Sequence, residues 1–128
     1  MIKALHTLIY SDDAPATRAF LRDVLQWPFV QDEASEPDWP IYKTGPSELG
    51  VHPTKSMWEG KEYSSPRHHS LSLVCDDLDA TVADLTSRGA KFSGAAEDMG
   101  FGVGIMLKVP GADDILLYQP RHREAHNL

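Results

Sequence analysis

Residues 6–26 read HTLIYSDDAPATRAFLRDVLQ, and residues 69–89 read HSLSLVCDDLDATVADLTSRG. Both follow one plan: a short apolar strand, an Asp-Asp pair, a helix carrying Ala-Thr, then a hydrophobic stripe. The pairs Asp12-Asp13 and Asp76-Asp77 stand 64 positions apart in a chain of 128 residues. A repeat at half the chain length implies two copies of one small module. A ligand site in such a protein is expected where the copies meet.

Working outward from the repeat, residues 3–11 read as a strand buried on both faces. Asp12-Asp13-Ala14-Pro15 is a helix start, with an Asp at the cap and Pro in the first turn. Phe20, Leu21, Val24 and Leu25 make the apolar stripe of a helix that runs to Leu25 and stops ahead of Pro28. Phe29–Asp32, Trp39–Thr44 and Ser47–His52 read as three short strands. Residues 53–67, PTKSMWEGKEYSSPR, have no clear period and read as a polar connector. In the second copy, Arg67–Cys75 is a strand, and Asp77 or Asp79 caps a helix to Arg88. Gly89 stands where a left-handed cap belongs. Lys91–Ser93, Gly102–Lys108 and Asp114–Gln119 complete it, and the tail RHREAHNL reads as frayed. The expected organisation is module one at 1–52, connector at 53–67, module two at 68–120 and tail at 121–128.

The fold class follows: α+β, two tandem βαβββ modules forming one curved, mostly antiparallel sheet with helices on the outer face. A chain of this length can bury a real core. With 19 acidic against 12 basic side chains and a formal charge of −7, nucleic acid is a poor partner. No apolar run is long enough to span a membrane, so no membrane partner is expected. The start, MIKALHTLIY, lacks the regions of a signal peptide, and the single cysteine, Cys75, allows no internal disulfide. Both point to a cytoplasmic protein.

The stretches HTLIYSDDAPATRAFLRDVLQW, VCDDLDATVADLTSRGAKF and VPGADDILLYQPRH resemble the vicinal-oxygen-chelate superfamily. That group includes glyoxalase I, bleomycin-resistance proteins, fosfomycin-resistance enzymes and extradiol dioxygenases. SELGVHP, CDDLDATVADL and LLYQPRH look closest to its glyoxalase-like branch. Metal-using members place four ligands on cleft-facing positions of the first and last strand of each module. His6 matches the first, lying seven residues before Asp13. The matching place before Asp77 is Ser70, with His68 on its face and His69 on the opposite one. Leu116 falls where a Glu is expected, and the remaining place holds Glu48 or Gly50 according to alignment. Glu48, Gly50 and His52 share one face either way.

The resemblance therefore implies two readings. In the first, the protein binds a small organic molecule in an apolar, aromatic cleft with an incomplete metal site and no cofactor. His6, Glu48, His52, Trp58, Phe101 and Tyr118 line that cleft. In the second it is a metal-dependent lyase, isomerase or dioxygenase, holding a divalent metal ion by His6, Glu48 and His69, with His68 as substitute. A homodimer is expected in both, because this scaffold commonly pairs its open edges. Cys75, beside two carboxylates, reads as a core thiol rather than a nucleophile. The glycines around Phe101 match no phosphate loop.

Overall fold

The computed structural model describes residue 1, residues 3–31 and residues 39–128. Asp13 caps helix α1 (Ala14–Asp23), its carboxylate accepting from the Ala16 amide at 3.2 Å, with Pro15 in the first turn. Thr17, Phe20 and Leu21 form the buried stripe. The helix stops short of Leu25. Gln26 turns left-handed at φ 59°, and the Trp27 amide reaches back to the Leu21 carbonyl at 3.2 Å. Strands β1 (Phe29–Gln31) and β2 (Pro40–Tyr42) pair antiparallel, Phe29 opposite Tyr42. Asp32, the expected end of the first of them, lies outside the described residues.

Two expected strands of the first half find no partner. Residues 3–11 and 47–52 belong to no sheet among the described residues. The reading of residues 3–11 as buried on both faces is corrected: most are exposed, and only Ile9 and Ser11 are partly covered. Alternating apolar residues license an extended chain but do not supply its neighbour, and without one the amides turn to water.

The connector is also more ordered than its composition suggests. It contains β3 (Lys55–Trp58) paired antiparallel with β4 (Lys61–Ser64). Glu59 and Gly60 join them, both at positive φ, 49° and 75°. That two-residue turn matches the right-handed twist of a hairpin.

The second half is a complete unit. Strand β5 (Ser72–Val74) leads to helix α2 (Leu78–Ser87), then to β6 (Phe92–Asp98), β7 (Gly102–Leu107) and β8 (Ile115–Pro120). The four strands lie in the order β5-β8-β7-β6, with β5 parallel to β8 and the other pairs antiparallel. Asp77, rather than Asp79, caps α2 by accepting from the Ala80 amide at 3.0 Å. The Leu78 amide donates to Gln119 Oε1 at 2.9 Å, which ties the helix start to β8. β6 runs well past the expected Ser93. A register shift between Ser93 and Glu97 absorbs Gly94 at φ 75°. The tail is not frayed: Ala125–Asn127 form a 3-10 turn.

All the core residues except Phe20 and Leu21 lie between Leu78 and Leu117, with Leu107 wholly buried. Helix α1 is fastened to this unit at the turn before β8. The Thr17 hydroxyl donates to the Pro110 carbonyl, and the Asp12 amide donates to the Gly111 carbonyl at 2.8 Å. Gly111 sits at φ 79°, and a Cβ there would stand 2.9 Å from the Asp13 nitrogen. Arg88 Nε donates to the Val24 carbonyl at 2.7 Å and links the far ends of the helices. The class is α+β with mostly antiparallel strands, which among the described residues divide between three sheets.

Candidate functional site

The end of β8 gathers the chemistry. Tyr118, Pro120 and His122 fall on alternate positions of an extended chain, so Tyr118 and His122 face one side. Tyr118 is 9% exposed, and its hydroxyl lies 2.9 Å from His122 Nε2. His122 Nδ1 lies 2.8 Å from the Arg123 carbonyl. A carbonyl only accepts, so Nδ1 carries the hydrogen and Nε2 accepts from the Tyr118 hydroxyl, an assignment made from the network. Burial pushes the Tyr118 hydroxyl pKa up, and the charges of Glu48 and Glu124 add to it. This phenol stays protonated and serves as a donor.

Glu48 arrives from the first half. Its Oε2 accepts from the Ala125 amide at 2.7 Å and the His126 amide at 3.3 Å. The Ala125 hydrogen bond holds the carboxyl pKa below its ordinary range. Burial opposes it, and the His126 amide assists. Its other oxygen stands 3.9 Å from His122 Nε2, too far for a direct hydrogen bond but close enough to feel a charge there. Glu48 is thus an anchored anion rather than an idle base.

Aromatic faces border this polar line. Phe101 meets Tyr118 edge-on, centroids 5.3 Å apart at 86°. Phe101 is placed by the tight β6–β7 turn. Asp98 accepts from the Gly100 amide at 2.9 Å and from Arg121 Nη1 at 2.6 Å, and the Arg121 amide donates to the Phe101 carbonyl at 2.7 Å. Trp58, at the end of β3, lays its indole on Gly100, where a Cβ would fall 2.7 Å from Cη2. Trp58 and Phe101 remain 53% and 47% exposed, an open aromatic surface.

Of the expected site residues, Glu48, Trp58, Phe101 and Tyr118 lie along this end of the molecule. His52 does not join them; it is exposed, and its Nδ1 lies 2.7 Å from the adjacent Pro53 carbonyl. His6 and His69 are exposed. His68 is exposed and held locally, Nδ1 2.8 Å from the Pro66 carbonyl. Among the described residues no three His, Cys, Asp or Glu side chains are grouped to hold a metal ion, so the donors as placed form no coordination shell. His122 is the member that sequence reasoning missed. Its signal was the two-residue period from Tyr118, hidden because Pro120 made the tail look detached. Cys75 is partly buried and burial raises its thiol pKa, in keeping with a core thiol.

A groove of about 540 Å³ lies elsewhere, between α1 and the turn before β8. Its floor is Phe20, Ala90 and Val109, which are core residues, and its Asp114 carboxylate already accepts from Ser93 Oγ at 2.7 Å. It is a packing seam between the halves, without the open aromatic face of the β8 end.

A four-stranded sheet with one parallel pair, with two capped helices of similar sequence, defines an α+β protein. Residues 3–115 match the model of the Glyoxalase/Bleomycin resistance protein/Dioxygenase superfamily. The chain belongs to that superfamily. Solved structures share its fold at low identity. A superfamily member from Sphaerobacter thermophilus DSM 20745 is 20% identical, over 92% of this chain and 98% of that one, with a TM-score of 0.54. Lactoylglutathione lyase from Agrobacterium tumefaciens is 14% identical over 91% and 92%, with a TM-score of 0.59. TnmS3, an antibiotic binding protein from Streptomyces sp. CB03234, is 20% identical over 94% and 98%, with a TM-score of 0.53. No curated protein matches the chain. Among the described residues no helix is long and apolar enough to cross a membrane.

Proposed function

We propose that the protein binds a small organic molecule at the end of β8, between the aromatic faces of Trp58 and Phe101 and the polar line of Tyr118, His122 and Glu48. One observation carries the reading. The half-exposed Phe101 meets the buried Tyr118 ring edge-on, half-exposed Trp58 lies on the neighbouring Gly100, and the Tyr118 hydroxyl is already directed at His122. Ligand sites of this kind are mostly apolar, with a few placed polar groups to fix orientation. The ligand class that fits is a flat, largely apolar molecule with one hydrogen-bonding edge. An antibiotic binding protein among the structural neighbours agrees with a binding role. The enzymatic reading needs a donor set that is not grouped among the described residues.

We place the protein in the cytoplasm as a homodimer, supported by its lone, partly buried thiol and by unpaired extended segments in its first half.

The test is a thermal-shift and tryptophan-fluorescence screen of planar aromatic compounds against the untagged protein. A binder is expected to raise the melting temperature and quench Trp58. Tyr118→Phe should then weaken binding about 5- to 10-fold, the size of one lost neutral hydrogen bond. A binder whose affinity is indifferent to Tyr118→Phe, Phe101→Ala and Trp58→Ala together places the site elsewhere and ends the proposal.

A further inference from the structure

The hairpin of β3 and β4 is well made within itself and weakly fastened to the rest of the chain. The Ser65 amide donates to the Thr54 carbonyl at 2.8 Å and closes its base. The strands pair in register from Lys55 opposite Ser64 to Trp58 opposite Lys61. Lys61 Nζ lies over the Tyr63 ring, 5.4 Å from its centroid. Outward, the hairpin is a sheet of its own, and every residue of its two strands except Ser56 is exposed. Among the described residues no backbone–backbone hydrogen bond joins 55–64 to another segment. An isolated two-stranded hairpin is marginal in water, so this one depends on what it rests against.

Trp58 provides the rest. Its indole covers Gly100, where a Cβ would stand 2.7 Å from Cη2. Gly100 also turns at φ 83°, so a glycine is required there twice over. The seat itself is firm. Asp98 accepts from the Gly100 amide at 2.9 Å and from Arg121 Nη1 at 2.6 Å, and the Met99 amide donates to the Gly102 carbonyl at 2.8 Å. The next residue, Phe101, turns its ring edge-on to Tyr118. A half-exposed ring laid on bare backbone is a contact easily given up and easily remade. Exposed backbone with few outward bonds marks a segment that opens well below the cost of global unfolding. Thr54 and Ser65, bonded to each other at the base, each follow or precede a proline, Pro53 and Pro66. A plate whose two ends meet along one edge turns about that edge.

We infer that the β3–β4 hairpin is a lid, hinged at Thr54 and Ser65 and latched by Trp58 on Gly100, whose opening admits ligand to the β8-end site. The inference rests on the binding site proposed above. Closed, the lid supplies the Trp58 face of that site. Open, it leaves Phe101 and Tyr118 on the fixed wall.

Nitrogen-15 relaxation dispersion on the full chain tests this without a ligand. An aromatic ring on an amide displaces its proton resonance, so Gly100 reports the latch. Gly100 and residues 55–64 should exchange at one common rate in the microsecond–millisecond range, with an open state of about 1–10%, while β7 and β8 stay flat. Trp58→Ala should move the Gly100 signal to the open-state position and abolish its exchange. Trp58→Phe, which keeps a ring, should retain the exchange with the open state enlarged severalfold. Flat profiles at Gly100 and the hairpin overturn the lid, as do unrelated rates at the two places. So does a Gly100 signal indifferent to Trp58→Ala. Should that variant unravel the hairpin, the wild-type profiles and Trp58→Phe decide alone. A compound retained in the screen should suppress the exchange by holding the hairpin shut. Flat profiles with such a compound in hand overturn the lid and leave the site, whereas a hinged hairpin over a site that retains no compound overturns the binding reading and leaves the hinge.

Discussion

The two halves of this molecule carry one plan and reach different ends. In residues 67–120 the strand before the helix pairs with the last strand, both helix ends are tied down, and Leu107 is sealed from water. In residues 3–52 the helix is capped and packed and β1 pairs with β2, but the stretches 3–11 and 47–52 join no sheet among the described residues. The difference teaches where the stability of a duplicated fold resides. Helix α1 is held by the core of the other half, through Phe20, Leu21 and the hydroxyl of Thr17, and needs no sheet of its own.

The strongest way to break this comparison is Leu107→Ala. A cavity at a fully buried leucine costs about 3–4 kcal/mol. Because α1 shares that core, helix signal from both halves should vanish in one urea transition. Two separated transitions would show that the first half stands alone.

Glycines sharpen it next. A Cβ at Gly102, in β7, would sit 2.4 Å from the Gln119 carbonyl oxygen, while one at Gly50 meets nothing within 4 Å. Gly102→Ala should therefore destabilise by about 1–3 kcal/mol, as overpacking does. Gly50→Ala should stay within about 0.5 kcal/mol, as surface changes do. Equal effects in chemical denaturation would mean that residue 50 is packed after all.

The helix caps test whether the halves are equal anywhere. Asp13 and Asp77 make the same bond to the third residue on, at 3.2 and 3.0 Å. Each Asp→Ala change should cost about 1 kcal/mol. A loss confined to Asp77→Ala would leave the repeat a matter of spelling rather than energetics.

The smallest effect is electrostatic. Arg121, and then the Gly100 amide, hold the Asp98 carboxyl at about 2. Its folded pKa lies below its unfolded one, so its contribution is present above about pH 4 and is lost as pH falls towards 2. The pair is exposed, so the change in melting temperature over that window should be slight and salt-sensitive. It should disappear in Asp98→Asn. A steeper acid dependence that survives the substitution belongs to other carboxylates, Glu48 first.

Legibility in the sequence followed the range of the forces involved. Pro15 and Gly89 act within one helical turn, and their roles were readable from spacing alone; spacing also put an Asp at each cap, but left Asp77 and Asp79 as alternatives until the bond to Ala80 chose Asp77. Strands β7 and β8 announced themselves as apolar runs on either side of the turn at Pro110-Gly111, and both are largely buried. The stretches 3–11 and 47–52 carried an equally good strand pattern, but pattern does not choose a partner. The hairpin of residues 55–64 was hidden because its turn places Glu59, not Asn or Gly, at the first left-handed position. At the site, Tyr118 and Phe101 were legible as aromatics on strand ends. The grip of Glu48 on Ala125 and His126 was not, since it joins residues 77 and 78 positions apart.

That grip has a practical consequence. The last few residues of the chain are fastened to a carboxylate in its first half, so a purification handle fused behind Leu128 would load the segment that holds His122 in place. A handle with several histidines would also bring foreign imidazoles beside Glu48 and Glu124, where a metal ion held by the handle would be mistaken for one held by the protein. Handles removed before measurement keep both artefacts out.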